Sequence, residues 1–101
     1  MPNFALTAFA IADLDAIYSY VATDGQARAD ALIERIFRKI ELLERMPRLG
    51  RLRPEFAPDM RSFPAQPFIV FYRVIDADES VEIVRVIDGR RDLGTVFLEG
   101  R

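Results

Sequence analysis

The 101-residue chain contains no cysteine, no histidine and no tryptophan, and Lys39 is its only lysine. Without cysteine there is neither a disulfide framework nor a thiolate nucleophile. Without histidine, imidazole-based acid–base catalysis is excluded, and the two commonest zinc ligands are both missing. No apolar run approaches the roughly 18 residues needed to cross a bilayer. The first residues lack a basic stretch followed by an apolar one, so we expect no signal peptide.

The rest of the composition is typical of a small globular protein. Hydrophobic residues make up 50% of the chain and charged residues 30%. These proportions are too apolar for a disordered chain and too charged for a membrane protein. The length fits one compact domain whose core needs no disulfide. We therefore expect a single soluble domain over residues 1–101, located in the cytoplasm.

Arginine carries almost all of the positive charge, since each of the 14 basic residues except Lys39 is an arginine. One cluster lies between Arg45 and Arg61, and Arg90-Arg91 form a second. Arginine makes planar, two-pronged contacts with carboxylates and phosphates. Two interpretations follow. The arginines reflect codon preference in a GC-rich genome, or they form patches that bind an acidic partner or a phosphate backbone.

Two amphipathic helices are predicted in the first half of the chain. Apolar residues recur every three or four positions from Ala8 to Val21, and Thr7 is placed to cap this helix. The segment Thr23-Asp24-Gly25 breaks the pattern and predicts a turn. A second apolar stripe runs from Leu32 to Met46 and ends because Pro47 disfavours helix in the residue before it. Two helices joined by a short turn form a helical hairpin.

Strand-like segments flank these helices. One opens the chain at residues 4–7, and three follow the proline-containing loop 47–58, at residues 60–63, 68–75 and 81–87. A turn between the last two strands predicts an antiparallel hairpin. The order predicts an α+β fold with an N-terminal strand, a helical hairpin and then a three-stranded antiparallel meander. The remaining tail is weakly patterned.

The strand at residues 68–75 is apolar on both faces, which is typical of a strand that is covered on two sides. A helical hairpin covers one face of a sheet. Either the loop and the C-terminal tail cover the second face, or a partner chain does. We favour a partner, because monomers seldom expose large apolar patches.

Several short segments share their order and spacing with a known family of proteins. They are Ala12-Asp13-Leu14 with Ile17 and Tyr18, Pro47-Arg48-Leu49-Gly50, Met60-Arg61-Ser62-Phe63-Pro64, residues 68–74 and residues 84–93. Together they span nearly the whole chain, and they resemble the RelE/ParE superfamily of bacterial toxins, most closely its ParE branch. The resemblance implies a toxin encoded beside an antitoxin that neutralises it by wrapping around it.

The resemblance also implies one of two mechanisms. RelE-like members cleave messenger RNA on the ribosome, whereas ParE-like members are described as poisoning DNA gyrase and have no established active site. For the ParE branch we expect a ParD-like antitoxin and DNA gyrase as partners. We expect no cofactor, no metal, and no direct contact with nucleic acid or with a membrane.

The residues at the catalytic positions of RelE-like enzymes favour the ParE mechanism. Those enzymes place an arginine before the central strand, another after the last strand, and a tyrosine or histidine near the C-terminus. Here Pro64, Arg91 and Phe97 stand at these positions, and Asp88 occupies a site that is often histidine. A phenyl ring donates no proton, and a carboxylate repels phosphate. The alternatives are an mRNA endonuclease and an inactive homologue that only binds antitoxin.

Two sets of residues are predicted to contact partners. Arg73 and Arg85 would be cross-strand neighbours if the hairpin were symmetric about Asp78 or Glu79, and such a pair favours acidic partner side chains. The antitoxin set is Arg51, Arg53, Arg61, Phe71, Arg73 and Arg85, with Phe71 as an apolar anchor. The target set is Arg90, Arg91, Asp92, Leu93 and Phe97. The alternative for Leu93 and Phe97 is that they cover the hairpin.

Overall fold

The computed structural model describes residues 4–75, 77, 80–91 and 93–99. Its elements are β1 (Phe4–Leu6), α1 (Ala8–Ala22), α2 (Gln26–Arg45), β2 (Arg51–Leu52), β3 (Arg61–Ala65), β4 (Phe68–Ile75), β5 (Ser80–Asp88) and α3 (Leu93–Glu99). The strands form one sheet in the order β1-β5-β4-β3-β2, in which β1 runs parallel to β5 and the other pairs are antiparallel. This arrangement confirms the predicted α+β fold and adds two elements, β2 and α3.

The helical hairpin forms as predicted, with a longer second helix. The Thr7 side chain accepts a hydrogen bond from the Ala10 amide and caps α1. Gly25 separates the helices at a φ of 140°, a conformation that side-chain-bearing residues rarely adopt. The second helix begins at Gln26, six residues before the apolar stripe. Three of the residues in this extension are alanines, which favour helix, and one of them, Ala29, is fully buried.

One face of the sheet packs against this hairpin and holds the main core. Ile36, Ile40 and Leu43 of α2 are fully buried there. They contact a group of buried strand residues that includes Val70 and Tyr72. The periodicity of α2 therefore corresponds to a real buried stripe.

A bulge interrupts the β4–β5 hairpin. Tyr72 pairs with Ile83, but Phe71 pairs with Arg85, so Val84 is an extra residue on β5. The predicted Arg73–Arg85 pairing is wrong for a different reason: next to the turn Ile75 pairs with Ser80, so that Arg73 faces Glu82. The turn residues Asp76, Asp78 and Glu79 lie outside the described part of the chain, as does Asp92.

The second face of the sheet is covered by the chain itself, which corrects the expectation of a partner. Met60, Phe71, Ile87 and Val96 form a second buried cluster. Phe56 of the loop and Leu93 and Phe97 of α3 pack against it. The Phe97 ring stacks on Phe56 at 4.6 Å between centroids and meets Phe71 edge-on at 4.8 Å. A helix of 7 residues shows too few turns for its period to be read from the sequence.

Candidate partner-binding surfaces

Arg85 is held inside the molecule by α1. Its Nε and a terminal nitrogen donate to the two carboxylate oxygens of Asp13 at 2.8 and 2.9 Å. The Asp13 carboxylate also accepts from the Val86 amide at 2.9 Å. Both charged side chains are only 14% exposed. Arg85 therefore does not lie on an open apolar face, contrary to the sequence-based placement.

Arg53 is also committed to internal contacts. Its guanidinium bonds Glu55 at 3.0 Å and the Ser62 hydroxyl at 3.2 Å, and it lies 5.0 Å from the centre of the Phe56 ring. The side chain is 13% exposed. A hydrogen bond from its own backbone amide is the largest cause of the lowered pKa of Glu55, and the hydrogen bond from Arg53 lowers that pKa further. Arg53 thus positions the loop that carries Phe56.

Arg61 and Tyr72 together hold the turn between α2 and β2. Arg61 donates to the carbonyl oxygen of Gly50 at 2.7 Å. The Tyr72 hydroxyl donates to the Pro47 carbonyl at 2.7 Å and accepts from the Gly50 amide at 2.8 Å. A Cβ on Gly50 would lie 2.5 Å from this hydroxyl, so only glycine fits. The Pro47–Gly50 motif is therefore a turn fixed by the sheet.

Two members of the predicted antitoxin set remain accessible to different extents. Arg51 is exposed on β2, which forms one edge of the described sheet. Arg73 is 40% exposed and bonds Glu82 at 3.0 Å and Asp59 at 3.4 Å. Phe71 is fully buried, so it offers no anchor to a partner in this conformation.

Exposed apolar side chains just before β2 and on it were not foreseen from the sequence. Met46, Leu49 and Leu52 are 52%, 41% and 50% exposed. Residues 46–49 line a depression of about 530 Å³. We call Met46, Leu49, Arg51 and Leu52 the β2-edge surface. The only available signal was apolar residues in a proline-containing loop, a segment type that normally lies on the surface.

The predicted target set divides into an exposed pair and a packed pair. Arg90 and Arg91 are exposed in the turn after β5. Leu93 and Phe97 pack against the second buried cluster, as the alternative interpretation expected. Asp92 cannot be placed, because it lies outside the described residues.

The carboxylate of Asp88 accepts hydrogen bonds from Arg90, and these bonds stabilise its ionised form. Arg90 donates from Nε and a terminal nitrogen to its two oxygens at 3.0 and 2.7 Å, and the Arg90 amide adds a third bond at 2.9 Å. These hydrogen bonds lower the pKa of Asp88 from 3.8 to about 2. In return, the hydrogen bond to Asp88 raises the pKa of Arg90.

Comparison with known proteins identifies the family. The sequence model described as "ParE toxin of type II toxin-antitoxin system, parDE" matches residues 4–93. The chain belongs to the ParE toxin family. It is therefore the toxin of a type II toxin–antitoxin system and has an antitoxin as its partner.

Individual relatives agree with this ParE assignment. The chain is 38% identical to Toxin ParE3 of Caulobacter vibrioides over 82 residues, which is 80% of each protein. It also matches a solved chain titled "Chromosomal ParDE TA system from P. aeruginosa" with a TM-score of 0.72 and 27% identity. That match covers 87% of this ParE-family chain and 96% of the solved one. Within the described residues, no helix is long and apolar enough to cross a membrane.

Proposed function

We propose that this ParE-family chain is a cytoplasmic toxin that inhibits DNA gyrase by binding it when no ParD-like antitoxin is attached. The family match over residues 4–93 carries the proposal. Gyrase is the target described for ParE-like members of the superfamily.

The RelE-type catalytic positions support binding over RNA cleavage. Phe97 has no titratable group and packs in an aromatic cluster. Asp88 is ionised at neutral pH and would repel the phosphate of a substrate. Cleavage by attack of a 2′-hydroxyl needs positive charge and a proton donor at that phosphate. Among the residues at the RelE-type catalytic positions, only Arg91 meets part of this requirement, because it supplies positive charge.

We assign the antitoxin to the β2-edge surface. An edge strand offers unpaired backbone groups to an incoming strand or loop. Exposed Met46, Leu49 and Leu52 provide apolar contact, and Arg51 provides a positive charge for an acidic side chain. Arg73 remains a secondary candidate, because its partners Glu82 and Asp59 already neutralise it.

Within the target set, Arg90 and Arg91 are the better candidates for contact with gyrase. Both side chains are exposed, whereas Leu93 and Phe97 hold α3 against the sheet. Loss of toxicity after a change at Phe97 would therefore reflect lost packing unless stability were measured alongside it.

The decisive experiment is a gyrase supercoiling assay with purified toxin, with and without antitoxin mixed in beforehand. We expect loss of supercoiling and accumulation of cleaved DNA, both relieved by antitoxin. Cleavage of mRNA in a translation assay, with gyrase unaffected, would show the endonuclease alternative instead. Antitoxin binding without either effect and without growth arrest would show an inactive homologue.

The antitoxin surface is tested separately by the double variant Arg51→Glu with Leu52→Ser. We expect it to weaken antitoxin binding by roughly tenfold or more, because it reverses a charge and removes apolar area. Arg38→Glu is the matched control, since Arg38 is 72% exposed on α2 and pairs with Glu34. An unchanged dissociation constant for the double variant would rule out this placement.

A further inference from the structure

The turn between α2 and β2 is held from the sheet by hydrogen bonds to its backbone. The Tyr72 hydroxyl of β4 donates to the Pro47 carbonyl at 2.7 Å and accepts from the Gly50 amide at 2.8 Å. Arg61 of β3 donates to the carbonyl oxygens of Gly50 at 2.7 Å and of Arg48 at 3.3 Å. Two side chains of the sheet therefore make four hydrogen bonds to the backbone of residues 47–50.

Leu49 lies at the centre of this network. The residues on either side of it, Arg48 and Gly50, both have their carbonyl oxygens bonded to Arg61. The Leu49 amide itself donates to the Met46 carbonyl at 3.0 Å, which closes the turn. The Leu49 side chain is nevertheless 41% exposed. The network thus fixes the backbone position of an apolar residue whose side chain stays in contact with water.

The turn also packs closely against the sheet at Gly50. A Cβ at this position would lie 2.5 Å from the Tyr72 hydroxyl oxygen and 2.8 Å from the Ser62 carbonyl oxygen. Gly50 leads directly into Arg51 and Leu52, which pair with β3. The turn and β2 are therefore joined to the sheet as one unit.

Burial of apolar area does not account for so many bonds to one turn. Met46, Leu49 and Leu52 are each at least 41% exposed, so they contribute little hydrophobic stabilisation. Connecting segments on a protein surface are normally more mobile than the elements they join. A defined turn in the free chain has a different benefit, because it reduces the entropy that is lost when a partner binds.

We propose that Tyr72 and Arg61 are positioning residues for antitoxin binding: they hold residues 47–50 in the recognised conformation before the antitoxin arrives. This inference rests on the assignment of the antitoxin to the β2-edge surface. Tyr72 is fully buried, so it acts through the turn and not by contact with the antitoxin. Arg61, which was expected from the sequence to contact the antitoxin, acts in the same way through the Gly50 and Arg48 carbonyl groups.

The surroundings of Tyr72 keep its hydroxyl in the form that the turn requires. Burial is the largest cause of its raised pKa, so the hydroxyl stays protonated at neutral pH. A protonated hydroxyl can donate to the Pro47 carbonyl and accept from the Gly50 amide at the same time. Replacement by phenylalanine removes both bonds but keeps the ring.

The test measures the affinity of the full-length chain for purified ParD-like antitoxin by titration calorimetry. Tyr72→Phe is the decisive variant, because it removes two bonds to the turn and changes neither the net charge nor any exposed atom. Arg61→Gln is the second variant and carries the test if Tyr72→Phe does not fold. Nitrogen-15 relaxation of the Leu49 and Gly50 amides reports fast motion of the turn in the free chain.

We expect each variant to weaken antitoxin binding by roughly tenfold, which is about the entropic cost of ordering one backbone residue. In the free chain, relaxation should show greater motion at Leu49 and Gly50 than in the wild type. This extra motion should disappear in the complex. Arg61→Lys should recover part of the affinity, because an ammonium group can also donate to the Gly50 carbonyl.

Two controls separate positioning from charge and from a general loss of stability. Arg38→Gln removes one positive charge, as Arg61→Gln does, but from an exposed part of α2. Ile36→Val removes a buried methyl group about 15 Å along α2 from Met46, so it lowers stability away from the turn. Both controls should bind the antitoxin with wild-type affinity.

Wild-type affinity of a folded Tyr72→Phe chain would overturn the inference, as would weaker binding without greater motion of the turn. If Arg51→Glu with Leu52→Ser weakens binding and Tyr72→Phe does not, the positioning role fails while the antitoxin surface stands. If neither change affects binding, the antitoxin binds elsewhere and both proposals are wrong.

Discussion

The carboxylate of Asp13 joins helix α1 to the outer edge of β5 through Arg85. Strand β1 ends at Leu6, opposite Ile83, so among the described residues no strand lies on the outer side of β5 after that point, although β4 continues on its inner side. Asp13 takes the place of a neighbouring strand, because its carboxylate accepts hydrogen bonds from the Val86 amide and from Nε and a terminal nitrogen of Arg85. Thr7 contributes to the same junction, because its hydroxyl donates to the Val84 carbonyl at 2.7 Å.

We expect Asp13→Ala to lower the free energy of unfolding by about 2–4 kcal/mol, because it removes the carboxylate that accepts two hydrogen bonds from Arg85 in a mostly buried place. Urea denaturation measures this change. Asp15→Ala is the control, since Asp15 lies two positions away on the same helix and is exposed. The double variant Asp13→Ala with Arg85→Ala should lose less than the sum of the single changes. Additive losses would mean that the pair is not coupled.

A second prediction concerns the Tyr72 hydroxyl, which holds the turn at Pro47 and Gly50. Tyr72→Phe should lower the free energy of unfolding by about 1–3 kcal/mol, because a carbonyl and an amide lose their partner. Tyr20→Phe is the matched control and should have no effect on stability, because Tyr20 is 79% exposed. Equal unfolding curves for the wild type and Tyr72→Phe would show that water replaces the hydroxyl.

Local patterns in the sequence were sufficient to predict the main elements. The apolar stripe of α2, the Thr7 cap and the stop at Pro47 each depend on neighbours within a few residues. The same local rules place β3, β4 and β5. Strand β2 was missed because a two-residue strand carries no periodicity and exists only through its pairing with β3.

The roles of individual arginines could not be predicted in this way. A hairpin symmetric about Asp78 or Glu79 would place Arg85 beside Arg73, but Ile75 pairs with Ser80, so that Arg73 faces Glu82. The bulge at Val84 then places Arg85 opposite Phe71. The partner of Arg85 is 72 positions away in sequence, on α1. Arg53 and Arg61 likewise bond Ser62 and the Gly50 carbonyl, which only the folded sheet brings near. Arg51 stayed exposed because its strand is the last in the sheet.

The covering of the second sheet face follows from contacts of the same long-range kind. Phe56, Phe71 and Phe97 come from a loop, a strand and the tail, and none of them shows a pattern that predicts the other two. Two apolar faces did indicate that a cover exists. Which segments cover this face depends on where the loop and the tail lie in the folded chain, and the amino-acid composition does not determine that position.

A third prediction tests this covering. Phe97→Ala should lower the free energy of unfolding by roughly 2–3 kcal/mol, because it opens a cavity beside Phe56 and Phe71. It should also increase the fluorescence of an apolar dye, since part of the sheet face becomes accessible. Leu52→Ala is the control, being 50% exposed, and should change stability little. A stable, toxic Phe97→Ala variant would show that α3 is dispensable for the core.

The last prediction is a pH dependence at Asp88. Its pKa in the folded chain is about 2 against an ordinary 3.8, so the ionised form is favoured by folding. The Asp88–Arg90 contact therefore adds stability above about pH 4, and that contribution is lost as the pH falls toward 2. Because Arg90 is 83% exposed, solvent screening makes this contribution small.

Unfolding of the wild type and of Asp88→Asn, compared at about pH 5 and about pH 2.5, measures this contribution. The wild type should be the more stable at the higher pH, and the difference should shrink at the lower one. In an Arg90→Ala background the Asp88→Asn difference should vary less with pH, because the hydrogen bonds from the guanidinium are gone. A difference that stayed constant between the two pH values in the Arg90-containing chain would mean that Arg90 does not stabilise the ionised carboxylate.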